Sequence, residues 1–370
     1  MPILEDAFGT RRKKKALLCG AVEGLVDRES MNFFHTNTHE AFEQGLALHE
    51  SGYSVDAIDH WAEPPRGYGE YDVILGLGRA LVECHSGGRR PRRVLLYSPG
   101  IHNQVQNLRT LDRVKAFRER YGPCLLESGR FASEDFTSIA SLCDAVLVLG
   151  NEATAATYHG RTSSEIFIIR AFFHHLVDGA ALAQRKDPRK AGRGFLWFGS
   201  AGLIHKGLDL LLEVFLARPW LELYVCGPLE GEGAFGRVFQ SRLAASRNIH
   251  MIGMVRIGSP EFLRIAEQCG FAVLPSCSEG GGVSLLSAVG NGGLLPVATL
   301  EASVELGTFG IPIAGCSEAL VAQAIESCEV LPVEERLART LQAIDFVNSG
   351  HTLEMHRKSL RAALSTVLAE

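Results

Sequence analysis

Short apolar runs alternate along this chain with stretches whose apolar residues recur every three or four positions. In the first half the runs are ALLCGA (16–21), YSVDAI (53–58), YDVILGLG (71–78), RVLLYSP (93–99) and DAVLVLG (144–150). Near-continuous runs of this length belong to strands buried on both faces, as in a parallel sheet. Between the first two, THEAFEQGLALHESG (38–52) sets Ala41, Phe42, Leu46 and Leu48 near one face of a helix that Gly52 ends, because glycine accepts the left-handed conformation of a helix stop. This is one β-α-β unit. The second half repeats the alternation with FLWFGS (195–200), LELYVCG (221–227), IHMIGMV (249–255), FAVLPS (271–276), LLPVAT (294–299) and IPIAG (311–315). The pattern predicts an α/β fold with two Rossmann-like sheets.

A chain of 370 residues is too long for one ordinary core. The polar, basic, Gly- and Pro-containing stretch VDGAALAQRKDPRKAGRG (177–194) marks the expected boundary. The expected division is an N-terminal domain over 1–180, a second over 190–345, and a C-terminal helix over 346–370 packing across the lobes, with Leu353, Leu360, Ala363, Leu364, Val367 and Leu368 as its apolar face. Hydrophobic residues at 46% and charged residues at 21% fit a folded globular chain. The net charge of -5 offers no general attraction to nucleic acid, and none is expected as a partner. Nine cysteines, an odd number without a C-x-x-C pair, fit reduced thiols in the cytoplasm. The apolar run after RRKKK (11–15) is too short for a secretory signal, and no run approaches 18 uncharged apolar residues. RRKKK itself reads as a solvated arm, or at most as a peripheral contact with acidic lipid.

The chemistry concentrates in PSCSEGGGVSLLSAVGNGGLLPVAT (275–299). FAVLPS is a strand and VSLLSAV a helix, so Glu279, Gly280, Gly281 and Gly282 occupy the turn at a carboxyl strand end, where open α/β sheets bind ligands. Glycines there let a ligand approach the backbone, and the helix start adds N–H groups and a positive dipole end: an anion site suited to phosphate. Like charges repel, so Glu279 suits neutral hydroxyls, as on a sugar. Tight turn geometry alone would also account for the glycines. A second signal is FLWFGSAGLIHKGLDLLLEVF (195–215), where Lys206 opens a helix from the same sheet edge. A lysine there meets a diphosphate as a point charge, although a lone lysine at a helix start is usually just solvated. His102, in LLYSPGIHNQ, follows a strand end and is a candidate to face a reacting group, against the plainer reading of a satisfied or exposed histidine. His35 and His39 have i, i+4 spacing but no third ligand, so no metal is expected. His174 and His175 need only linker or packing roles.

The two glycine-containing stretches, in this spacing, resemble the C-terminal domain of family 4 nucleotide-sugar glycosyltransferases, which have the GT-B fold of two Rossmann-like domains facing a cleft. The likeness covers most of 195–300; in the first half it is confined to 38–59 and to CDAVLVLGNEATAATY. YVCGPLEGE and NIHMIGMV resemble the family's glycine-containing strand end and the backbone segment that holds the base. The resemblance implies a donor site of Gly199, Ser200, Lys206, Gly227, Met254, Val255, Glu279, Gly280, Gly281, Gly282, Val283 and Ser287. It also implies catalytic roles for Lys206 and Glu279, with His102 facing the sugar from the first domain. It departs from the family at Ser287, where a second Glu is usual, and at Ser200 and Ala201, where an Arg is usual.

What this implies is a hexosyltransferase-like, retaining, metal-independent glycosyltransferase without a cofactor. It would move sugar from a nucleoside-diphosphate sugar to a glycan, a lipid-linked sugar or a small molecule. The absence of any Asp-x-Asp argues against the metal-dependent architecture that uses that motif. Two alternatives stand beside it: a nucleotide-sugar-binding protein without transfer activity, suggested by Ser287, and a GT-B sugar-nucleotide epimerase. A nicotinamide-dependent dehydrogenase is disfavoured, because no G-x-G-x-x-G follows the first strand of either domain.

Overall fold

Among the described residues, twelve strands form two parallel sheets of six. The first comprises β1 (Lys15–Gly20), β2 (Ser54–Asp59), β3 (Val73–Gly76), β4 (Arg93–Ser98), β5 (Ala145–Leu149) and β6 (Glu165–Ile169), in the order β2-β1-β3-β4-β5-β6. The second comprises β7 (Gly194–Phe198), β8 (Glu222–Cys226), β9 (Ile249–Gly253), β10 (Phe271–Leu274), β11 (Leu295–Thr299) and β12 (Ile311–Ile313), ordered β12-β11-β10-β7-β8-β9. The computed structural model describes the chain apart from residues 1–2, 28–35, 63–66, 87–89, 124–128, 134–136, 229–232 and 370. His35 therefore lies outside the described residues, as does part of YVCGPLEGE.

The runs read as strands do form them, and for the expected reason. Leu17 and Leu18 on β1, Ile74 and Leu75 on β3 and Leu95 and Leu96 on β4 are all fully buried. Phe195 and Phe271, register partners on β7 and β10, stack with ring centroids 4.7 Å apart. β6 has no counterpart in the sequence reading. It is a sheet edge that stays partly exposed until Ile169, although IFII (166–169) is an unbroken apolar run that the reading passed over.

The chain divides into two compact units, residues 1–104 with 132–172 and 353–370, and residues 105–131 with 173–352. These limits differ from the sequential division read from the sequence. The helix Asn103–Tyr121 connects β4 to β5, yet from Val105 onward it belongs to the second unit. There Phe117 joins the core with Phe215, Phe239 and Phe271. Arg113 reaches both carboxylate oxygens of buried Asp209 at 2.8 and 2.6 Å, and the Tyr121 hydroxyl donates to Glu213 at 2.6 Å. The last helix, Leu353–Ala369, belongs to the first unit and packs on the helix Asn37–Glu50 and on β5 and β6. Two forked pairs fasten it, Arg357 to Glu43 at 2.6 and 2.7 Å and Arg361 to Glu50 at 2.8 and 2.9 Å. Among the described residues no helix is long and apolar enough to cross a membrane. The basic arm is partly docked: Arg12 donates to the His49 carbonyl, and the Lys14 ammonium lies 5.7 Å from the centre of the Tyr53 ring.

Candidate functional site

In the second sheet the chain runs outward from β7 through β8 to β9, then returns to lay β10, β11 and β12 on the other side. β7 and β10 thus flank the point where strand order reverses, the place where open α/β sheets leave a crevice at their carboxyl ends. The turn after β7 carries Gly199, Ser200 and Lys206, and the turn after β10 carries Glu279 and Gly280 to Gly282. The two expected clusters therefore sit side by side.

They are joined directly. The Lys206 ammonium pairs with the Glu279 carboxylate, and the Ser276 hydroxyl lies 2.9 Å from Glu279 Oε1. Both partners are withdrawn from water, with side-chain exposures of 3% and 11%. Burial by itself would raise the Glu279 pKa, but the Lys206 ammonium, with His205 and Arg130, outweighs it and holds the carboxyl below its ordinary value. The sequence reading gave Lys206 to phosphate and Glu279 to sugar hydroxyls. The structure shows them bonded to each other as well. An ammonium carries three N–H donors, so one carboxylate oxygen does not exhaust it.

The turn that carries Glu279 is held from three sides. Cys277 N–H donates to the His205 carbonyl at 3.0 Å, Thr299 Oγ1 to the Ser276 carbonyl at 2.6 Å, and Ser303 Oγ to the Glu279 carbonyl at 2.9 Å. The His205 ring adds a fourth fastening. Its Nε2 lies 2.7 Å from the Ser278 carbonyl, which can only accept, so Nε2 carries the proton and Nδ1 accepts from Thr110 Oγ1 at 2.9 Å. Burial lowers the His205 pKa to about 4, which keeps this tautomer neutral. Neither His205 nor Thr110 stands out in the sequence; the visible signal is only a histidine beside the lysine.

Gly281 and Gly282 have φ of 69° and 55°, the left-handed region that side chains disfavour, and Gly282 caps the helix Val283–Gly292. The first N–H groups of such a helix have no partner within it. Ser287 lies half-buried farther along this helix, and its carbonyl accepts from Asn291 Nδ2 at 3.2 Å. Asn291 is committed elsewhere: its Oδ1 accepts the N–H groups of Leu176 and Val177 at 2.7 and 3.0 Å, and its Nδ2 donates to the His174 carbonyl at 3.0 Å. Gly227 and Gly199 zip neighbouring strand ends, Gly227 N–H to the Gly253 carbonyl at 2.8 Å and Gly199 N–H to the Cys226 carbonyl at 2.9 Å. Beyond β9, the Met254 side chain is 59% exposed while Val255 is buried.

His102 lies in the first unit. It is buried, its N–H donates to Thr157 Oγ1 at 3.0 Å, its Nδ1 accepts the Gln104 N–H at 3.3 Å, and its ring meets Tyr158 edge-on at 5.3 Å. Burial first, then the charge of Arg161, lowers its pKa to about 4, so the ring is neutral with the proton on Nε2. Among the described residues no group of three or more His, Cys, Asp or Glu is placed to hold a metal ion. The described cysteines are free thiols, all buried except half-buried Cys316.

No protein-family model and no curated protein sequence matches the chain. Solved structures do. Sucrose-phosphate synthase from Thermosynechococcus elongatus superposes with a TM-score of 0.64 at 13% identity, over 96% of this chain and 100% of that one. HepE of Anabaena, solved with UDP and glucose, gives 0.59 at 13% identity over 95% and 100%. A glycosyltransferase from Rickettsia africae gives 0.59 at 12% over 96% and 99%. At these identities the likeness establishes the architecture, an α/β fold of two Rossmann-like units of the GT-B type.

Proposed function

We propose that this chain is a glycosyltransferase of the family 4 type, metal-independent, retaining and hexosyltransferase-like. In this reading it moves a sugar from a nucleoside-diphosphate sugar to an acceptor held mainly by the first unit. The observation that carries the reading is the meeting of Lys206 and Glu279 at the strand-order reversal of the second sheet, beside left-handed Gly281 and Gly282. The neighbours add support: HepE is solved with UDP-glucose, and one trehalose-phosphate synthase among them is UDP-forming.

In transfer, the bond between the anomeric carbon and the β-phosphate oxygen breaks, its electron pair leaves with the diphosphate, and the acceptor hydroxyl oxygen bonds to the anomeric carbon and gives up its proton to the departing phosphate. Charge builds on the departing phosphate, so donors fixed there in advance lower the barrier most. Lys206 and the N–H groups of Gly281 and Gly282 fill that role. Glu279, held ionised by Lys206 and steadied by Ser276, accepts hydrogen bonds from hydroxyls of the donor sugar. Gly227, Met254 and Val255 offer the backbone edge along which a base lies, and Ser287 supplies one weaker polar contact to the ribose. Neutral His102 is the first unit's candidate beside the reacting sugar.

Thermal-shift and turnover assays with UDP, GDP, ADP and their glucose conjugates test this. Diphosphate binding is expected, with slow donor hydrolysis or transfer that is lost in Glu279→Gln. No binding to any of them would overturn the reading. Ser287 favours a second reading, a nucleotide-sugar-binding protein; tight binding without turnover across many acceptors would select it. Epimerisation of free donor without acceptor would instead mark a sugar-nucleotide epimerase.

A further inference from the structure

A diphosphate brings more than one negative charge, yet Lys206 is already neutralised by Glu279. The pair has no net charge to offer, so an anion arriving there needs another cation. Arg130 is in position to be that cation. It follows the helix Asn103–Tyr121 within the second unit, and its charge acts on both Glu279 and His205. Its side chain lies directly against the turn after β7. A Cβ added to Gly202 would sit 3.2 Å from both Cβ and Cδ of Arg130, and Gly202 has φ +94°. That glycine leaves the room the arginine occupies. The Arg130 backbone is anchored, with Gln106 Nε2 donating to its carbonyl at 3.2 Å and Thr110 Oγ1 lying 3.3 Å away. Its residue surface is exposed, and among the described residues no carboxylate pairs with it. A fixed backbone, an uncommitted guanidinium and a neutral lysine pair beside it together define an anion-binding arm.

We propose that Arg130 directly contacts the diphosphate of the bound nucleotide, supplying the net positive charge that the Lys206–Glu279 pair lacks. This rests on the sugar-nucleotide reading of the second unit. An exposed forked guanidinium suits phosphate oxygens better than an ammonium does.

The test is titration calorimetry of the full chain with UDP, GDP and ADP, and with the matching monophosphates and nucleosides, for wild type, Arg130→Ala and Arg130→Lys. For whichever diphosphate wild type binds, Arg130→Ala is expected to weaken binding by about 10- to 100-fold. The monophosphate should lose less and the nucleoside nothing, and Arg130→Lys should recover part of the loss. Diphosphate affinity within two-fold of wild type would overturn the role of Arg130 and leave the sugar-nucleotide reading standing. An equal loss for the nucleoside would show a general disturbance and overturn it too. If wild type binds no diphosphate, the sugar-nucleotide reading fails, and this proposal with it.

Discussion

Removing the Lys206 ammonium strands the Glu279 carboxylate in a place water barely reaches. Breaking one side of a buried pair costs about 3–5 kcal/mol, whereas neutralising both sides at similar volume is often harmless. Lys206→Met should therefore lower chemical-denaturation stability by roughly 3 kcal/mol, and Lys206→Met with Glu279→Gln should restore most of it. If the single and double variants are equally unstable, the pair is not the cause. Buried His102 and His205 set an acid limit. Their ordinary pKa is about 6.5, and burial lowers both His102 and His205 to about 4. Between those values the unfolded chain binds protons the folded chain refuses, so stability is complete above about pH 6.5 and falls as pH drops toward 4, by up to about 3 kcal/mol per histidine. His205→Gln should flatten that slope in denaturation measured at several pH values; an unchanged slope would contradict the assignment. Glu279 and Lys206 were legible one at a time, because a strand end followed by glycine and a helix start is a local pattern. Their bond was not, and neither was Thr110 to His205, 95 positions apart in the chain. Arg130 was invisible for the same reason: what marks it is its contact with Gly202, not its neighbours in sequence.

Among the elements, the helix Asn103–Tyr121 departs most from its sequence reading. Lying between β4 and β5, it belongs by chain order to the first sheet, and nothing in NQVQNLRTLDRVKAFRERY says otherwise. Its contacts reveal its allegiance, among them Arg113 with Asp209, Tyr121 with Glu213 and Phe117 in the core. Arg113→Ala should cost about 3 kcal/mol or more by leaving buried Asp209 without its partner, while Arg113→Met with Asp209→Leu should be close to neutral. Comparing the midpoints of urea unfolding decides this. Another hidden joint is Lys186, whose ammonium donates to the carbonyls of Cys269, Gly292 and Gly293 at 2.7 to 2.9 Å, closing the ends of two helices. A cation is favoured at such ends by the helix dipole. The strands were legible because burial on both faces writes itself as an unbroken apolar run.

Across the whole molecule, two parallel sheets of six strands differ in strand order, and the candidate chemistry collects at the reversal point of the second. The two-sheet architecture was readable from alternation alone, but the path of the chain through the two units was not. Residues 173–352 expressed alone would lack Phe117 for their core and Arg113 for Asp209. Such a fragment should show broad, weakly cooperative thermal unfolding, and adding residues 105–131 at its start should sharpen the transition; a fragment that melts as cooperatively without them would refute this.

The same interleaving sets a timetable for synthesis. The ribosome delivers residues in order, yet the first unit is complete only with the helix Leu353–Ala369, which is made after the whole of 173–352. Domains that are continuous in sequence can mature one after the other as they emerge. Here the earlier half must wait, partly assembled, until its final piece has left the exit tunnel.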